Sequence, residues 1–93
     1  MWRASHMNNN YKYYILKMVI DRGLQLLQDG VSENTYQVWL QYSRETIEQI
    51  AGKSVFHINY LQVILATMDV NIEPSQKLSM CLKYLIGILP LIR

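Results

Sequence analysis

Few side chains in this sequence can carry chemistry: one cysteine, Cys81, the histidines His6 and His57, and a close pair of carboxylates, Glu45 and Glu48. A cysteine nucleophile with a histidine base is the sole dyad these residues allow. Cys81, however, shares helical spacing with Leu78, Leu82 and Leu85, so it is expected on an apolar face, where burial raises a thiol's pKa and removes its reactivity. His57 follows Phe56 at the start of an expected helix and reads as a surface side chain. Glu45 and Glu48 lie three apart on the polar side of their helix. With Arg44 and Lys53 nearby they are expected to be solvated and to line nothing.

Gly52-Lys53-Ser54 ends like a phosphate-binding loop, but that motif needs a glycine where Ile47 stands, so the segment reads as a helix stop followed by a cap. The single cysteine closes no internal disulfide and builds no zinc site. No catalytic, metal-ligating or cofactor-binding set is assigned, and no cofactor is expected.

With 51% apolar and 17% charged residues in a chain of 93, a disordered tail is excluded and one packed domain is expected. A net charge of +2, spread along the chain, gives no clustered basic face, which argues against nucleic acid as a partner. The longest stretch free of charge, Ser54 to Met68, falls short of the roughly 20 apolar residues a membrane span requires. A lone thiol without a signal peptide points to the cytoplasm. Ser5-His6-Met7 is what a cloning site encoding His-Met leaves before a start codon. Residues 1–6 are therefore expected to be a vector-derived remnant, and residues 7–93 a single helical domain.

Four helices are expected. The asparagines Asn8 to Asn10 offer caps for a helix over Tyr11–Gln28 that stops at Asp29-Gly30. Gly23 inside it costs of order 1 kcal/mol against alanine, which suggests close approach of another helix. Ser32 caps a second helix reaching Ala51, its stripe of Tyr36, Trp39, Leu40, Ser43, Ile47 and Ile50 facing a core. Ser54 caps a third that carries Phe56, Tyr60, Ile64 and Met68; it is too long for a typical strand and lacks a hairpin partner. Asp69 to Glu73 reads as a loop, Pro74 opens a fourth helix to Leu89, and Pro90 sends Leu91, Ile92 and Arg93 into an extended tail. The fold class is all-α, a small four-helix bundle-like domain.

Helices 1 and 4 are apolar around most of their circumference, more than one small core uses. Tyr13, Leu16, Ile20, Leu24, Val38, Tyr42, Ile88, Leu89 and Leu91 are accordingly expected to form an interface, with a second copy of the chain or with another protein. Charged residues at Ile20 and Leu24 should then dissociate a dimer without unfolding it.

Asp21-Arg22-Gly23, Trp39, Gly52-Lys53-Ser54 and Gly87-Ile88-Leu89 follow one another in a pattern that resembles a helical accessory module of multidomain bacterial proteins, some linked to mobile elements or antiviral defence. The acidic stretch that usually follows that module has no counterpart after Pro90. The resemblance implies a part that holds chains together, with no catalytic residue to carry over. The alternative is a nucleic-acid-binding helix-turn-helix built around Gly52-Lys53-Ser54.

Overall fold

A computed structural model describes residues 3–69 and 71–92. Met1 and Trp2 of the expected vector remnant, and Arg93 of the expected tail, lie outside them. Helices α1 (Arg3–Asp29), α2 (Glu33–Ala51), α3 (Val55–Ala66) and α4 (Pro74–Ile88) form an all-α bundle, closed by a 3-10 turn over Leu89–Leu91. Among the described residues there is no strand. α2 packs against the other three helices and α4 against α1, α2 and α3.

Local chemistry sets most of the boundaries. Gly30 adopts φ 102°, the left-handed conformation that releases a helix without a side-chain clash, and its N–H reaches the Leu26 carbonyl at 2.9 Å. Ser32 then starts α2 reciprocally. Its Oγ accepts from the Thr35 N–H at 3.1 Å, and its own N–H donates to Thr35 Oγ1 at 2.9 Å. Gly52, at φ 60°, closes α2 with its N–H on the Glu48 carbonyl.

Two boundaries and one cap differ from the sequence expectation. α1 begins at Arg3 rather than at the asparagines, since nothing from Arg3 to Tyr11 is a proline or glycine and asparagine only weakly disfavours a helix. Ser54 precedes α3 but makes no side-chain cap; its hydroxyl is buried without a hydrogen-bond partner. Pro90 sits inside a 3-10 turn instead of an extended tail. A first-turn proline needs no N–H partner there, and the turn folds Ile92 back until it is buried.

The core joins Leu16, Val19 and Ile20 of α1 to Trp39, Ile47 and Ile50 of α2, Tyr60 and Ile64 of α3, and Leu78, Leu82, Leu85 and Ile88 of α4. Gly23 is where three helices meet. A methyl group built there would lie 2.7 Å from Leu82 Cδ2 and 3.0 Å from the Trp39 ring. The indole N–H donates to the Val19 carbonyl at 3.0 Å, the same oxygen that a regular helix offers to the N–H of residue 23. Gly23→Ala should therefore lower stability by about 1–2 kcal/mol despite alanine's better helix propensity, because overpacking outweighs it. Gly87, in α4 with open space around it, is the control. Gly87→Ala should raise stability by roughly 0.5–1 kcal/mol, both changes being read from urea unfolding midpoints.

Candidate functional site

The candidate dyad is not assembled. Cys81 is fully buried, with the Tyr36 hydroxyl 3.7 Å from its sulfur. Burial pushes its thiol pKa upward, against weaker opposing hydrogen bonds from Tyr36 and Tyr60. His57 lies elsewhere, half-buried beside a small cavity of about 240 Å³ shared with Gln41, Arg44, Glu45 and Glu48. The expectation that the two glutamates line nothing is thus corrected. The close approach of the α3 start to the last turns of α2 makes a shallow polar cavity of them, and Glu45 accepts a 2.9 Å hydrogen bond from the Gln41 amide. Among the described residues no cluster of three histidine, cysteine or acidic side chains is placed to hold a metal ion.

Polar groups inside the bundle serve packing. Tyr36 bonds to Thr67 Oγ1 at 3.0 Å and Tyr60 to Ser43 Oγ at 2.6 Å, while Tyr60 stacks on Tyr84 with centroids 5.6 Å apart. Lys77, 9% exposed, pairs with Glu33 at 3.1 Å and lies 5.8 Å above the Tyr36 ring. Hydrogen bonds from Gln37 and then Lys77 hold Glu33 below the usual carboxylate range. Burial drives the phenol pKa values of Tyr36 and Tyr60 well above the ordinary tyrosine range, the Thr67 and Ser43 hydroxyls offsetting only part of this.

The nine residues expected to make an interface divide three ways. Leu16, Ile20 and Ile88 lie in the monomer's own core, at 0, 4 and 7% exposure, because α1 turns that stripe toward α2 and α4; they offer no surface to a partner. A charged residue at Ile20 would break the core rather than a dimer. Tyr13 and Leu89 are half-buried, and Leu24 and Leu91 are exposed. By 100° steps from Gly23, Tyr13 and Leu24 fall on the flank of α1 away from α2. Val38 and Tyr42 belong to a different surface.

That surface is concave. Arg22 and Leu26 from α1 and Thr35, Val38, Trp39 and Tyr42 from α2 line a groove of about 550 Å³. Val38 is 66% exposed and Tyr42 41%. Along the same flank of α1, Tyr11, Tyr14 and Met18 precede Arg22 at spacings of three and four, and all three are more than half exposed. Sequence reasoning missed Tyr14, Arg22 and Thr35 as surface residues of this groove. The signal that finds the two on α1 is Gly23: once it is taken as the centre of the buried stripe, helical rotation puts Tyr14, Met18 and Arg22 outside.

No protein family, curated protein or solved structure matches this chain.

The raised phenol pKa values fix a pH dependence. The folded chain keeps Tyr36 and Tyr60 protonated where the unfolded chain, with tyrosines near 10, releases those protons. Their stability contribution is complete below about pH 10 and falls as pH climbs beyond it. Tyrosinate absorbance should therefore include a second stage at high pH, in which Tyr36 and Tyr60 ionise only with unfolding. The double change Tyr36→Phe, Tyr60→Phe should leave a smaller second stage; an unchanged profile would contradict the assignment.

Proposed function

We propose that this chain is a self-association module, a homodimer whose role is to hold polypeptides together and which has no catalytic activity of its own. The observation that carries this reading is the groove between α1 and α2, apolar apart from Arg22 and Thr35 and lined by exposed Val38 and Tyr42, with exposed Met18 and Tyr14 preceding Arg22 along α1. Such a contiguous apolar surface marks a protein interaction site, because leaving it in water costs roughly 25 cal/mol per Å². The resemblance of its helices to a bacterial accessory module points the same way. The proposed setting is the cytoplasm, which a free, buried Cys81 suits. Among the described residues no helix is long and apolar enough to cross a membrane.

The alternative, a helix-turn-helix reading nucleic acid with α3, has less support. α3 presents Val55, Ile58, Asn59, Gln62 and Leu65 to solvent and carries no lysine or arginine to meet a phosphate.

Sedimentation equilibrium at about 0.05 M and about 1 M NaCl separates the two. Apolar association predicts about twice the 11.0 kDa chain mass at both salt concentrations. A monomer at both, or a chain that binds a DNA duplex with affinity falling steeply in salt, would overturn the reading.

A further inference from the structure

Resting on self-association, we infer that the two copies meet through the α1–α2 face, with their α1 helices antiparallel about a two-fold axis at Met18, so that Tyr14 of each copy enters the groove of the other beside Arg22.

Three observations lead there. The first is area. At roughly 200 Å² for each large residue, the exposed fractions of Tyr11, Tyr14, Met18, Val38 and Tyr42 leave about 550 Å² of exposed surface on this face, phenol hydroxyls included. The Arg22 stem, Leu26 and Thr35 bring the total toward the roughly 800 Å² per partner of a stable interface. The competing apolar rows are poorer. On α3 and the turn after it, exposed Val55, Ile58, Leu65 and Met68 have exposed Asn59 and Gln62 among them, and Leu24 on α1 and Leu91 in the 3-10 turn are single exposed leucines.

The second observation is self-complementarity. A two-fold interface uses the same patch on both copies, so that patch must hold both the projecting side chains and the hollow that receives them. This face does so: Tyr14 and Met18 project from α1, and one turn further along the same flank the groove opens between Arg22, Leu26, Val38, Trp39 and Tyr42. Antiparallel pairing centred on Met18 sets each residue opposite the one equally far on the other side of the centre. Arg22 and Tyr14 are each four residues from Met18, so they face each other twice in the dimer.

The third is charge. Arg22 is the one charged side chain lining the groove, and among the described residues it forms no ion pair; its neighbour Asp21 is bound to Lys17 at 2.9 Å. A guanidinium over a tyrosine ring is a favourable arrangement that needs no acid in the partner. The Tyr14 ring is already oriented by an edge contact with Tyr13, centroids 5.4 Å apart at 85°.

The test is disulfide trapping in the full chain. Met18→Cys, Leu24→Cys and Ile58→Cys replace exposed residues, and buried Cys81 stays out of reach of the oxidant. At the two-fold axis the paired Cβ atoms come within about 4 Å, so Met18→Cys should cross-link most of the chain into a covalent dimer while the other two remain largely monomeric on a non-reducing gel. Tyr14→Ala should weaken dimerisation about tenfold, and in Arg22→Ala the same change should add little, since the two share one contact. Cross-linking through Leu24→Cys or Ile58→Cys in place of Met18→Cys, in a chain that still dimerises, would overturn this interface while leaving self-association intact. So would full, independent effects of Tyr14→Ala and Arg22→Ala. A chain that stays monomeric would end both proposals and leave the groove to a different protein.

Discussion

The indole of Trp39 lies directly on the backbone of α1, and the packing of α2 and α4 against α1 depends on that contact. It requires a residue without a side chain at Gly23, because a methyl group there would collide with both Trp39 and Leu82. It also requires the indole N–H to find an acceptor once buried, and the Val19 carbonyl provides one at 3.0 Å. The bond fixes the height of α2 along α1. Leu82 on the other side of the same glycine fixes α4, so a single notch sets the rotation of α1 about its own axis. That rotation decides which α1 residues are core and which are surface.

A second set of constraints holds α3. Its apolar residues are poorly segregated and few are fully buried, so hydrophobic contact alone specifies its register weakly. Polar contacts do more. Ser43 meets the Tyr60 hydroxyl, Tyr36 meets Thr67 where α3 ends, and Tyr84 of α4 donates to the Phe56 carbonyl at 2.8 Å. Each pairing is formed in one register only, and a slip would leave buried hydroxyls without partners, at about 1–3 kcal/mol apiece.

Much of this was legible in the sequence and some was not, for physical reasons tied to particular residues. Ser32, Gly30, Gly52 and Pro74 act through local backbone chemistry, and they mark the helix ends where the structure has them. Gly23 announced a close approach correctly. What periodicity left undetermined was the phase of α1: with apolar residues around most of the helix, Leu16 and Ile20 read as spare surface although they are buried in the core, while Tyr14 and Arg22 were left out of the interface. The asparagines and Pro90 misled in a related way. Local preference at Asn8–Asn10 and at Leu89 is worth less than about 1 kcal/mol, and the alternatives were continuing a helix or burying Ile92. The Glu45, Glu48 and His57 cavity was invisible because it joins two helices, and no single-helix pattern reports such a meeting.

Helix α1 thus commits one stripe to the monomer's core and exposes Tyr11, Tyr14 and Met18 on the flank that leads to the α1–α2 groove. If a second copy covers that flank, dimerisation and folding share one free-energy balance, and stability depends on protein concentration. The most direct measurement is the urea unfolding midpoint of the unaltered chain across a hundredfold range of concentration. A dimer that unfolds to separated chains gains about 2.7 kcal/mol over that range, so the midpoint should move steadily upward. A midpoint that stays fixed would contradict the account, because the α1–α2 face would then be exposed to water in the folded chain.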